Sequence, residues 1–401
     1  MNGSSLLHHR PFAFFTLSRA ASTLAYQISA VAIGWQIYAL TDSAFALGAV
    51  GLAGFVPLAG LTFLAGHAAD RYDRRRVVQI CMVIYALIAA MLAAGSFARW
   101  LTPWEIFAAA AGFGAARAFE SPARSALLVA VVPEGRLQEG TAISSGALQA
   151  ATIGGPALGG LCYALSPGIP YAVMAACWLL GAVLNFGITL ERRVADKEPP
   201  TLKALFAGVG FVRRHKIVLG IISLDLFAVV LGGATALLPI YARDILHTGP
   251  WGLGVLRGAP AVGALAMTAL LARAPIRRQA GLRMFQAVIV FGLATIVFAL
   301  SQSLSLSIVA LAVLGAADTV SVVIRLSIVQ LATPDEMRGR VGAVNFLFIN
   351  ASNQVGEFES GTTAALLGAM PAALLGGIGT VLVALLWMRW FPALRRLERL
   401  E

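Results

Sequence analysis

Hydrophobic positions in this chain run in long unbroken stretches and do not alternate with polar ones. Such stretches begin near Phe12, Ala44, Val77, Pro103, Ile143 and Ile169, and again near Ile217, Trp251, Leu282, Leu304, Val341 and Pro371. Each continues for about 20 residues or more, enough for an α-helix to cross ~30 Å of hydrocarbon. Polar positions gather in short clusters between them and in one long segment, Glu191 to Lys216, which contains Pro199 and Pro200. The pattern predicts an all-α membrane protein of twelve transmembrane helices. Residues 1–190 would form one six-helix bundle, 191–216 a cytoplasmic linker and 217–401 a second six-helix bundle.

Composition supports the bilayer as solvent. Of 401 residues, 59% are hydrophobic and 12% charged, and the mean hydropathy is +0.81. A soluble protein carries roughly 25% charge, and this much apolar surface could not be hidden from water. Soluble enzyme classes are therefore disfavoured from the start.

The formal charge of +11 comes from 27 Arg and 3 Lys against 19 acids. With the N-terminus cytoplasmic, twenty-three of these bases fall on the inner side, only Arg99 and Arg243 fall outside, and five lie within spans. Such asymmetry is the positive-inside signal of a multi-pass protein. It predicts an inner (cytoplasmic) membrane location with both termini cytoplasmic, and makes a nucleic-acid partner a poor explanation for the basicity. The first span is too long for a signal peptide and lacks a small-residue cleavage site, so it is expected to persist. Cys81, Cys162 and Cys177 lie singly in three spans without CxxC spacing and read as packing residues. No paired metal-ligand spacing appears, and neither a metal nor an organic cofactor is expected.

Internal similarity at an offset of 201 residues divides the chain in two. Gly114-Ala115-Ala116 matches Gly315-Ala316-Ala317, Arg124 matches Arg325, Pro133-Glu134 matches Pro334-Asp335, and Gly155 and Gly160 fall on Gly356 and Gly361. An offset of 203 places Ile37-Tyr38-Ala39 on Ile240-Tyr241-Ala242. Recurrence in equivalent spans argues for a parallel six-plus-six duplication, an arrangement in which a site at the repeat interface can alternate its access.

The loop after the second span reads Gly66-His67-Ala68-Ala69-Asp70-Arg71-Tyr72-Asp73-Arg74-Arg75-Arg76. It resembles the signature loop of the major facilitator superfamily, departing from it at Asp73, where glycine is usual. The resemblance implies the two-bundle major facilitator fold, with Gly66, Asp70, Arg71, Arg74 and Arg75 as a gating motif supported by Arg124 and Arg325. Asp70 is an acid at a helix end that needs a cation or a helix N-terminus as partner, and Arg124 is the candidate cation. In the fifth span, Gly155-Pro156-Ala157-Leu158-Gly159-Gly160 resembles the core of the motif of the superfamily's proton-coupled antiporters, although Ala142 and Ala151 stand where the fuller pattern has glycine. Two further segments, Thr333 to Val341 and Asn353 to Gly361, resemble the branch that includes enterobactin exporters. Export is thereby favoured over uptake.

Ionisable residues inside spans are costly and should meet a cavity or a partner. Arg117, Glu120 and Arg124 lie at i, i+3 and i+7 on one helix face, and Asp318 and Arg325 seven apart on another. By the superfamily resemblance, the first, fourth, seventh and tenth spans line the central cavity. Arg19, Gln27, Arg117, Glu120, Asp225 and Asp318 are then the candidate substrate-cavity residues. Glu357 and Glu359, two apart, cannot face the same way; Arg257 is a candidate partner. Asp318, Glu357 and Glu359 are the candidate proton carriers, a static salt bridge being the competing role for the two glutamates.

No P-loop occurs, so energy is expected from an ion gradient. The reading is a secondary transporter, not an enzyme, that exports a small amphipathic siderophore-like or drug-like molecule by proton antiport. An uptake symporter or facilitator is the alternative within the class. Its expected partners are the substrate, protons and the bilayer, with a monomer as the default state. A membrane-embedded enzyme would need a catalytic constellation facing one leaflet, and none is evident.

Overall fold

The computed structural model describes residues 6–133, 135–188, 202–276 and 278–398, and the side chains of residues 66–71 lie outside the described set. The surroundings of Gly66 and the side chains of Asp70 and Arg71 therefore fall outside it, as do Glu134, Arg192, Arg193, Lys197, Arg277 and Arg399.

Twelve long helical segments follow one another: α1 (Arg10–Thr41), α2 (Ala44–Arg71), α3 (Arg74–Phe97), α4 (Pro103–Val131), α5 (Leu137–Leu165), α6 (Ile169–Phe186), then, after the short α7 (Leu202–Arg214), α8 (Lys216–Leu231) with its irregular continuation through α9 (Leu238–Ile240), and α10 (Gly249–Arg273), α11 (Ala280–Leu300), α12 (Leu304–Ala332), α13 (Asp335–Leu367) and α14 (Ala369–Trp390). A short α15 (Pro392–Arg395) follows. The chain is an all-α membrane protein, and no strand occurs among the described residues.

Local chemistry sets the boundaries. Asp73 caps α3: its carboxylate accepts from the Arg75 backbone N–H at 2.9 Å, satisfying one of the donors that a helix start leaves free. Its φ of −58° needs no glycine, which is how this chain departs from the usual loop pattern without strain. At the start of α4 the Glu105 carboxylate accepts from the Thr102 backbone N–H at 2.9 Å, and Pro103 occupies the first turn. Gly368, at φ +93°, lets the chain turn from α13 into α14 in a region that side-chain-bearing residues rarely adopt.

The helices fall into two compact units, one of residues 1–41 and 53–199, the other of 42–52 and 200–401. In the first unit α1 packs on α5 and α6, and α3 on α4 and α6, around fully buried Phe12, Ile28, Met82, Ile106, Tyr171 and Trp178. In the second, α12 packs on α10 and α11, and α11 on α14, with Val218, Leu224, Met284, Phe285, Ile324 and Trp387 among its core residues. The amphipathic α7 lies in the stretch expected as linker and packs on α13 of the second unit, with Val212 buried in that core.

Inside a bilayer apolar burial alone does not hold helices together, and close packing through small residues takes its place. A Cβ on Gly114 would run into the backbone oxygen of Gly54, and one on Gly315 into that of Pro260. These glycines are partners at the 201 offset, and each seats its helix on the second helix of its own unit. The tryptophans repeat the theme: Trp178 Nε1 donates to Ser22 Oγ at 3.3 Å and Trp387 Nε1 to Ser223 Oγ at 3.0 Å, with the serines again 201 apart. The duplication read from the sequence is thus expressed in the packing.

Candidate functional site

In the first unit the polar side chains converge on Glu120. Its carboxylate forms an ion pair with Arg124 one turn along α4 and accepts from the Tyr85 hydroxyl at 3.1 Å and from Ser22 Oγ at 3.5 Å. Tyr85, Phe113 and Trp178 enclose this group with ring centroids 5.1 to 5.9 Å apart. Nearby, Arg19 donates to Ser144 Oγ at 2.9 Å, and the Arg117 guanidinium lies 4.2 Å from the centre of the Tyr26 ring, within cation–π range. Among the described residues, Arg19, Arg117 and Arg124 thus stand against Glu120, an excess of positive charge on α1 and α4. The spacing on α4 left two arginines open as partners of Glu120; Arg124 holds it. Arg124 was also the candidate for Asp70, whose side chain is not described.

The antiporter-like segment has a packing role. A Cβ on Gly155 would sit 2.5 Å from Gln27 Cβ, and one on Gly159 would sit 3.1 Å from Ile28 Cα and 3.2 Å from Ile28 O. Pro156 and Gly160 are buried beside them. The face of α5 that carries the motif is therefore flat where α1 lies on it, while Gly154 faces open space. Gly159→Leu is expected to cost about 1–3 kcal/mol by overpacking and Gly154→Leu much less, read as a difference in melting temperature of the purified protein.

In the second unit Arg325, expected to support the loop motif, has its described partner on another membrane helix. Its guanidinium forms an ion pair with Asp225 of α8, both side chains about one-tenth exposed. Arg325 and Arg124 are repeat partners, yet the acid comes from the same helix in one unit and from another helix in the other. Asp318 lies one wall away, lining with Asp225, Ser321 and Arg325 a cavity of about 20 Å3, which is room for a single water. It has neither an ion pair nor a hydrogen bond to any described residue, and Arg325 Nε is likewise buried without a hydrogen-bond acceptor. One cation and two carboxylates line this cavity, and the ion pair is with Asp225.

Glu357 and Glu359 diverge, as their spacing requires. Glu359 accepts from Thr363 Oγ1 at 2.8 Å. Glu357 reaches the first turns of α2, where a Cβ on Gly51 would lie 2.7 Å from Glu357 Oε2, and it forms no ion pair with Arg257 among the described residues. The same end of α2 is held by Asp42, which pairs with Arg243 at 2.7 Å, and by Phe45 against Phe358 at 5.7 Å. In the loop motif Arg75 donates to the Ile188 carbonyl at 2.7 Å and so ties the start of α3 to the end of α6.

Two features escaped sequence reasoning. Ser22, Tyr85, Trp178 and Ser144 complete the shells of Glu120 and Arg19 from other helices, and no local spacing could announce them. The break of the seventh span could have been read: Gly232-Gly233 and Pro239 stand in its apolar run, and the helix gives way there to a 3-10 turn, Ala234–Leu237, and a π turn, Tyr241–Ile245. Gly233 abuts α13, since a Cβ there would lie 2.6 Å from the Gly356 carbonyl oxygen.

Comparison with known proteins follows from this architecture. The family model described as transmembrane secretion effector matches residues 3–400. The chain is 29% identical to the multidrug efflux pump Tap of Mycobacterium tuberculosis over 96% of this chain and 93% of that protein. It is 26% identical to the enterobactin exporter EntS of Citrobacter koseri over 100% and 96%. Among solved structures it is similar to a bacterial homologue of the human lysosomal transporter Spinster, with a TM-score of 0.75 at 12% identity, covering 98% of this chain and 97% of the other. The chain belongs to the transmembrane secretion effector family of the major facilitator superfamily and is a multi-pass membrane transporter, not an enzyme.

Proposed function

We propose that this transporter exports a small amphipathic molecule, siderophore-like or drug-like, across the cytoplasmic membrane in exchange for protons, by alternating access of its two units. The observation that carries the coupling is Asp318, lining one small cavity with the Asp225–Arg325 pair and without an ion pair or hydrogen bond to any described residue. A carboxyl in such a place can take up a proton in one environment and release it when the cation moves toward it. Asp225 and Asp318 would share Arg325: with Asp318 neutral, Arg325 stays on Asp225; with Asp318 charged, it is drawn between them. Glu357, with Arg257 at a distance, is the second candidate carrier. Export is supported by the relatives named as a multidrug efflux pump and an enterobactin exporter. Arg19, Gln27, Arg117 and Glu120 are assigned to the substrate side, where the excess of positive charge and the Tyr26 ring favour an aromatic or anionic group on the cargo. Asp70, with Arg71 and Arg74, keeps its proposed gating role, and both termini are assigned to the cytoplasm on the charge asymmetry.

The test is uptake into inverted membrane vesicles from cells overproducing the protein, across a panel of catecholate siderophores and cationic and neutral drugs, with and without an imposed pH gradient. Accumulation of at least one class that collapses with the gradient is expected. Accumulation insensitive to the gradient would make the protein a facilitator, and movement in the opposite sense a symporter.

A further inference from the structure

We propose that the groove between α3 and α4 is a binding site for a phospholipid of the cytoplasmic leaflet, with one acyl chain lying in the groove and an anionic headgroup at Arg76. The inference stands apart from the identity of the cargo.

The groove is large, about 730 Å3, and its α3 wall includes Val77, Ile80, Cys81 and Ile84. Its α4 wall is Gly112, Ala115, Ala116 and Phe119. On both helices these residues recur at three- and four-residue intervals, so each set forms one face. The α4 wall is built mainly of small side chains, which is why a channel remains between two packed helices. Ile80 and Ile84 belong to the stripe of α3, with Val83, Leu87 and Met91, whose large apolar side chains are exposed. A transmembrane helix turns such a stripe to lipid, so the groove opens toward acyl chains and away from water.

Its dimensions fit one leaflet. From Arg76 to Ile84 is eight residues, about 12 Å along a helix axis, against roughly 15 Å for half of the hydrocarbon core. The end of the groove at Arg76 lies at the start of α3, where the positive-inside asymmetry places the cytoplasmic headgroups. The other end reaches the middle of the membrane.

Charge selects the headgroup. Tyr72, Asp73 and Arg76 form the mouth. Asp73 is already engaged, as the cap of α3 and with Arg75 at 3.7 Å, and Arg75 is committed to the Ile188 carbonyl. Arg76 is exposed and has no ion pair among the described residues. A free guanidinium with a phenol beside it at headgroup depth suits a phosphate diester, and basic sites next to transmembrane helices on this side recognise anionic lipid.

The experiment uses the full chain reconstituted in phosphatidylcholine vesicles that hold a trace of phosphatidylglycerol with a diazirine on its acyl chain. Photo-adducts are mapped by mass spectrometry, and a phosphatidylcholine probe with the same tail serves as the second arm. Phosphatidylglycerol adducts are expected to concentrate on Ile80, Ile84, Ala115 and Phe119 over Leu87, which faces bulk lipid. Ala115→Trp should fill the groove and reduce these adducts to the Leu87 level. Arg76→Gln, at an exposed position that folding does not need, should lower the preference for phosphatidylglycerol over phosphatidylcholine about fivefold. Equal adducts in the groove and at Leu87 would mean ordinary annular lipid and overturn the proposal. So would groove adducts that survive Ala115→Trp, or a headgroup preference that Arg76→Gln leaves unchanged.

Discussion

Replacing Asp318 by asparagine is expected to abolish export driven by a pH gradient while substrate binding persists. The side chain lines a small cavity with the Asp225–Arg325 pair, and asparagine keeps its volume and most of its hydrogen-bonding capacity while removing the proton that can be exchanged. Nothing needs repacking, so the protein should insert and melt as before. Substrate-driven exchange in the absence of a gradient should survive, because alternation without net proton movement does not need the carboxyl. The two assays together separate a coupling residue from a structural one. If gradient-driven flux in Asp318→Asn equals that of the parent, the carrier is another acid, with Glu357 next in line.

The second large effect concerns the shared cation. Arg325→Gln leaves Asp225 and Asp318 together in a cavity without a positive charge, and loss of one partner of a buried pair typically costs about 3–5 kcal/mol. Asp225→Asn should cost clearly less, since Arg325 can fall back on Asp318 in the same cavity. In an Asp318→Asn background that fallback is gone, and Asp225→Asn should then become as costly as breaking an isolated pair. Thermal unfolding of the purified variants in detergent measures all of these. If Asp225→Asn has the same effect in both backgrounds, the three groups do not form one cluster.

The fold was legible because hydropathy responds to the hydrocarbon directly. The observed starts of α2, α4, α6 and α12 at Ala44, Pro103, Ile169 and Leu304 coincide with the apolar runs. Others begin earlier: α5 at Leu137 against Ile143, and α13 at Asp335 against Val341. Their first turns are polar and lie beyond the apolar core, where a helix continues on its own hydrogen bonds. Among the described residues eight helical segments are long and apolar enough to cross a membrane on composition alone, and α1, α4, α5 and α13 are not among them. Those four carry Arg19, the Arg117–Glu120–Arg124 face, the Gly155 to Gly160 segment and the Glu357–Glu359 pair. In α1, α4 and α13 the polarity that weakens the membrane signal also marks candidate function, whereas Asp225, Asp318 and Arg325 lie on α8 and α12, which are apolar enough to carry them.

The site was legible only in part. Intrahelical spacing narrowed the partner of Glu120 to Arg117 or Arg124, because i, i+3 and i+4 fix neighbours regardless of tertiary structure, but it could not choose between them. It could not give Asp225 as the partner of Arg325, since the two lie 100 residues apart on different helices. Nor could it show that the glycines of the Gly155 segment are pressed on α1 while Gly154 is open, because which face of a uniformly apolar helix is packed depends on its neighbours.

The central claim, that export and proton entry are one event centred on Asp318, is tested most directly by following protons and substrate together. Proteoliposomes without any imposed gradient, carrying a trapped pH-sensitive dye and given an outward or inward gradient of an exported substrate, should show proton movement opposite to the substrate. Asp318→Asn should show none. Substrate movement in the parent protein with no accompanying proton movement, or with protons travelling in the same direction, would contradict the account.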